Sequence, residues 1–145
     1  MGARRLGRHR GERGRLHRGC PPPARRRGAA SRTGVMVSRG DVWWYEHPRT
    51  GRRPFLILTR DEAIPVLTQV LGVPATRTIR GIPTEVALDE EDGMPTRCCL
   101  TLDNVTPIRV SLCTERITSL AAERMREVCG ALSAASACGP FSPSA

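Results

Sequence analysis

Between Asp41 and Thr118, every run of β-branched and aromatic residues is cut short by a proline, a glycine or a charged cluster. This punctuation leaves room for strands of four to eight residues and little else. The spacing predicts strands over 41–46, 54–59, 66–73, 84–88 and 98–102, with a short sixth over 116–118. Pro54 is expected to open the second strand and Pro74 to end the third, because proline cannot donate to a ladder. Arg60–Ile64 suggests one helical turn stopped by Pro65, and 104–112 an irregular stretch or short helix. Downstream, Ala121, Met125, Val128, Leu132 and Ala135 recur at three- and four-residue steps, one apolar stripe of a helix. Ser119 is the expected N-cap and Gly139-Pro140 the stop. Many short strands and one terminal helix predict a mainly β fold, a small barrel or strongly curled sheet of five or six strands with a helix packed on it.

Charge divides the chain. Residues 1–35 hold 11 arginines and one acid, whereas residues 36–145 hold 12 arginines and 13 acids. The formal charge of +9 therefore belongs to the first quarter of the chain and not to the folding domain. That first quarter has few large aliphatics and a Pro21–Pro23 run, so it is expected to be disordered. It lacks the apolar core of a signal peptide. It reads as a basic arm, a targeting segment, or upstream DNA translated from a misplaced start, the last being preferred, with Met36 as the initiator. The expected organisation is an extension over 1–35, a folded domain over 36–138 and a frayed tail over 139–145. No apolar run is long enough to span a membrane.

Six cysteines form no C-x-x-C pair and three histidines are scattered, so no metal or cofactor is expected. Free buried thiols in a reducing cytoplasm are the simplest account, with Cys98 and Cys99 on opposite faces of a strand. Trp43 and Trp44 are likewise adjacent and cannot enter the same core.

Arginine is placed more tellingly. Arg49, Arg52, Arg53, Arg77 and Arg80 fall in two segments, 47–53 and 75–81. In a closed barrel these segments can meet as a cationic groove, and guanidinium forks match phosphate geometry. Thr76 and Thr78 flank Arg77, and Asp103 could orient an arginine. If the ligand is RNA, its own 2′-hydroxyl can attack the adjacent phosphate. The protein then supplies charge stabilisation, for which Arg53 is placed, and proton transfer, for which His47 is available. Trp44 or Tyr45 offers a face for an unpaired base.

Four segments in order carry a resemblance: Met36-Val37-Ser38-Arg39-Gly40-Asp41-Val42-Trp43, Gly51-Arg52-Arg53-Pro54, Val73-Pro74-Ala75-Thr76 with Arg80-Gly81-Ile82-Pro83, and Leu102-Asp103-Asn104-Val105. Together they resemble the MazF/PemK toxins of bacterial toxin–antitoxin pairs, in their arginine-rich actinobacterial branch. The resemblance implies a homodimer of SH3-like barrels that cuts single-stranded RNA at short sequences without metal. Products would carry a 2′,3′-cyclic phosphate and a 5′-hydroxyl. It places catalytic roles on Arg53, Thr76, Asp103 and His47, beside the RNA contacts that the residue pattern itself puts on Arg49, Arg52, Arg77, Thr78, Arg80 and Trp44. It implies an acidic, MazE-like antitoxin as partner, contact with operator DNA only through that complex, and no membrane. The first loop, His47–Arg52, is shorter than is usual in the family. The alternatives are a gyrase-directed toxin of the same fold and a non-catalytic SH3-like nucleic-acid-binding module.

Overall fold

In a computed structural model describing residues 34–139, the short apolar runs become seven strands of one curled antiparallel sheet. The strands are β1 (Asp41–His47), β2 (Gly51–Ile57), β3 (Gln69–Thr76), β4 (Glu85–Leu88), β5 (Cys98–Thr101), β6 (Thr106–Arg109) and β7 (Cys113–Ser119). The helix α1 spans Ala122–Ser136. The sheet runs β4-β5-β3-β2-β1-β7, with β6 pairing to β3 off this path. The expectations for residues 1–33 and 140–145 lie outside the described residues.

Alternation along the strands sorts two apolar clusters. Val42, Leu56, Val73, Val86 and Leu100 join a cluster that α1 covers through Val128 and Ala131, with Met125, Leu132 and Ala135 packed beside them. Tyr45, Phe55, Ile57, Val70 and Ile108 form the second cluster on the opposite face, with Trp43 against it. Strand β2 is thus buried on both faces at its end, as its unbroken apolar run implies. The helical stripe is as expected, except that Ala131 joins the core and Ala121 does not.

Several boundaries differ from expectation for identifiable reasons. Pro54 lies inside β2 rather than at its start, opposite Trp44; the ladder to β3 begins only at Phe55, so no bond is lost there. Pro74 lies inside β3. Residues Gln69–Gly72 pair with β6 and Ala75–Thr76 pair with β5, so Pro74 falls in the gap between two partners. Gly72 sits where three strands meet: an added Cβ would lie 2.7 Å from Ile108 Cδ1 and 3.0 Å from Phe55 Cδ1. Pro65 sits in the first turn of a 3-10 helix, Ile64–Val66, instead of breaking one. Residues 104–112, expected to be irregular or a short helix, contain β6 followed by a short 3-10 helix, Val110–Leu112, and β7 begins three residues before the expected strand.

Ser119 does not cap α1, which starts without a side-chain cap after Ala121. Its hydroxyl instead donates to Asp41 Oδ1 at 2.8 Å across the β1–β7 pair. Asp41 is buried, and the Ser38 backbone N–H also donates to it, so the strand-end position uses the hydroxyl where it is needed most. The helix ends at Ser136 on Ala137, whose φ is 52°, ahead of Gly139.

The end strands β4 and β7 do not pair, so the ladder does not close into a full barrel. Side chains bridge the seam. Thr118 Oγ1 on β7 donates to the Asp92 carbonyl at 2.8 Å, and Arg124 Nε on α1 pairs with Asp92 Oδ1 at 2.9 Å. Arg124 also donates to the Ala87 carbonyl on β4. The Glu90–Asp92 turn between them is capped by Asp89 and ends on Gly93 at φ 81°.

Candidate active site

The β1–β2 register places the two adjacent arginines in different surroundings. Arg52 is opposite Glu46, and Arg53 is opposite Tyr45. Arg52 Nε lies 3.3 Å from Glu46 Oε1 and its Nη2 lies 3.1 Å from Glu115 Oε2. Its guanidinium also covers the Trp44 ring, 4.5 Å from the centroid. Two carboxylates therefore neutralise Arg52 before any ligand arrives. Arg53 makes one long hydrogen bond, 3.5 Å to the Thr50 carbonyl, and pairs with no carboxylate among the described residues. Its charge is free to meet an anion.

Three cavities converge on Arg53. The first, about 390 Å³, is lined by Trp44, Arg52, Arg53, Thr76, Arg77 and the Met94–Thr96 segment. The second, about 250 Å³, holds Arg53 with Thr76, Thr78, Arg80 and Asn104. The third, about 610 Å³, holds Arg53 with Tyr45, His47 and Arg49. Strand β2 and the end of β3 therefore bring Arg53 and Thr76 together, as the two-segment pattern implies. Thr76 Oγ1 accepts the Thr78 N–H at 3.2 Å, which leaves its own O–H able to donate elsewhere.

The remaining candidates divide. Arg77 joins the first cavity, Thr78 and Arg80 the second, and His47 and Arg49 the third. His47 Nδ1 accepts the Arg49 N–H at 3.2 Å. Asp103 lines none of these cavities; it accepts the Thr84 hydroxyl, and its neighbour Asn104 faces the site instead. Trp44 is half-buried beneath Arg52, and Tyr45 is buried edge-on to Phe55, so only Trp44 offers a face.

The thiols are not nucleophile candidates. Cys98 lines the first cavity, but burial, and then the neighbouring Cys99 and Asp92, push its pKa up. Cys129 and Cys138 are exposed, which corrects the expectation of buried thiols throughout. Cys20 lies outside the described residues. Met94–Thr96 carried no signal in the sequence; its place depends on turns that residue type alone does not encode.

Residues 38–135 match the family of PemK-like, MazF-like toxins of type II toxin–antitoxin systems. The chain belongs to this family. A curated relative, a probable endoribonuclease MazF5 from Mycobacterium tuberculosis, is 44% identical over 105 residues, covering 72% of this chain and 96% of the relative. Among solved structures, the Mycobacterium tuberculosis toxin MazF-mt6 is similar at 30% identity and a TM-score of 0.63, covering 68% of this chain and 98% of that one. A MazF component in a MazE–MazF crystal structure from Deinococcus radiodurans is 25% identical with a TM-score of 0.61, covering 72% and 99%. The curled sheet with one C-terminal helix is the fold of these PemK/MazF-like toxins. Among the described residues no helix is long and apolar enough to cross a membrane.

Proposed function

We propose that this PemK/MazF-like toxin is an endoribonuclease that cuts single-stranded RNA by attack of the RNA's own 2′-hydroxyl. The 2′-oxygen bonds to the adjacent phosphorus and the bond to the 5′-oxygen breaks, giving a 2′,3′-cyclic phosphate and a 5′-hydroxyl. The observation that carries this reading is the unpaired Arg53 guanidinium converging with the Thr76 hydroxyl on two shared cavities. A guanidinium and a hydroxyl donor aimed at one phosphate stabilise the extra negative charge of the phosphorane. Arg77, Thr78 and Arg80 extend the binding surface, and His47 donates to RNA on the far side of Arg53. Arg49 supports that side, and Arg52 contributes once RNA draws it from Glu46 and Glu115. Asp103 acts through Thr84 rather than on the phosphate.

The folded toxin domain is residues 36–138, working as a homodimer restrained by an acidic antitoxin, with operator DNA bound only through that complex. No resident cofactor takes part. The cytoplasm, where messenger RNA lies, is its place of action.

Arg53→Ala should lower cleavage of single-stranded RNA by at least about 10²-fold, the usual loss for one charge-stabilising donor. Its melting temperature should stay near that of the wild type. Thr76→Ala should weaken cleavage strongly, with Thr76→Ser retaining most of it. Full activity in Arg53→Ala would sink the mechanism. A supercoiling assay run beside the digest separates a gyrase-directed toxin, for which Arg53 and Thr76 are dispensable.

A further inference from the structure

The Thr76–Gly81 segment is exposed from Arg77 onward, yet it is held at every second residue. The Thr78 N–H donates to Thr76 Oγ1, and the Cys99 thiol donates to the Thr78 carbonyl at 3.3 Å. The Arg80 and Gly81 N–H groups both donate to Glu85 Oε2, at 2.9 and 3.0 Å. One carboxylate oxygen thus gathers two successive backbone donors of the loop that carries Arg77 and Arg80. The other oxygen, Glu85 Oε1, is buried and has no hydrogen-bond partner among the described residues. Burial, and then the Glu85 carboxylate beside it, push the Cys99 thiol up, while the Arg80 cation opposes them. A buried carboxylate oxygen without a partner costs stability, and a neutral side chain at this position would avoid that cost.

We propose that Glu85 is a positioning residue for RNA binding: its carboxylate fixes the Arg80–Gly81 backbone so that the loop presents Arg77 and Arg80 in the geometry that RNA meets. This rests on the endoribonuclease reading. Thr76 itself is paired to Cys99 in the β3–β5 ladder, so the reacting geometry does not depend on Glu85. Losing Glu85 leaves the loop sampling other conformations, and apparent affinity falls in proportion to the competent fraction. Bound RNA restores the loop, so the turnover of the saturated enzyme is preserved.

The test uses the full chain and a single-stranded RNA oligonucleotide containing a site that the wild type cuts. Glu85→Ala should raise KM about tenfold, as expected when the competent fraction falls to about a tenth. Its kcat should stay within about threefold. Glu85→Gln keeps an acceptor oxygen for the two N–H groups and should restore KM to within about threefold of wild type. Glu85→Asp withdraws the carboxylate by one methylene and should behave as Glu85→Ala, carrying the test if the alanine variant does not fold. Amide hydrogen exchange at Arg80 and Gly81 should accelerate in the alanine and aspartate variants and not in the glutamine variant. A fall in kcat at unchanged KM, a glutamine variant as impaired as alanine, or unchanged exchange at Arg80 and Gly81 overturns the proposal. A wild type that cuts no RNA defeats the endoribonuclease reading instead, while the exchange measurement still reads the loop.

Discussion

Gly93→Ala tests how the seam between β4 and β7 is held. Gly93 has φ 81°, where an L-residue with a Cβ is disfavoured by about 1–2 kcal/mol. An added Cβ would lie 2.5 Å from Thr118 Oγ1 and 3.0 Å from Thr118 Cβ, both on β7. Thr118 must then move, and its bond to the Asp92 carbonyl breaks, at a further cost of about 1 kcal/mol. The expected total is about 2–3 kcal/mol. Urea denaturation followed by circular dichroism should show the midpoint falling with the slope unchanged. Thr118→Ala alone should cost about 1 kcal/mol, the value of its hydrogen bond. In the double variant that bond is lost only once, so the two effects should fall short of additivity by about 1 kcal/mol. Strict additivity would show that the two residues do not meet across the seam, and the account of its closure would be wrong.

Two further outcomes follow from the site and the core. Glu115→Gln removes one of the two carboxylates on Arg52, so in the cleavage-deficient Arg53→Ala background RNA affinity should rise about two- to fourfold at low salt. The salt slope should steepen by up to about 0.7, the value for one added cation on a single strand; an unchanged affinity would place Arg52 away from the RNA. Cys113 is buried and desolvation pushes its pKa up from 9.0 to about 11. Because its folded pKa is the higher, its contribution is complete below pH 9 and is lost as pH rises through 11. Roughly 2–3 kcal/mol of stability should disappear over that window, and Cys113→Ala should flatten this part of the profile.

The sequence was most readable where local pattern and tertiary role agree. Strand β1, the buried end of β2 and the stripe of α1 follow directly from their alternation. The convergence of Arg53 and Thr76 was readable because each falls in one of the two arginine-bearing segments that adjoin the buried runs of β2 and β3. Prolines misled because their cost depends on the neighbour they face: Pro74 is accommodated by a change of partner that no single strand reveals. Ser119 misled because a buried carboxylate 78 residues away claims its hydroxyl. The general expectation of buried thiols fails at Cys129, whose position on α1 leaves it exposed, where it accepts from Arg39. Glu85 was invisible as a site residue because its role lies in which backbone donors fold back onto it.

The placement of β1 between β2 and β7 also sets an order for assembly. The hairpin of β1 and β2 can form early, but the other edge of β1 waits for a strand ending at Ser119. Closing so long a loop is entropically costly and slow. During synthesis, β1 therefore keeps one bare edge until nearly the whole domain has left the ribosome. The nascent chain is exposed to mispairing over that interval, and the buried Asp41 carboxylate gains its Ser119 partner only at the end.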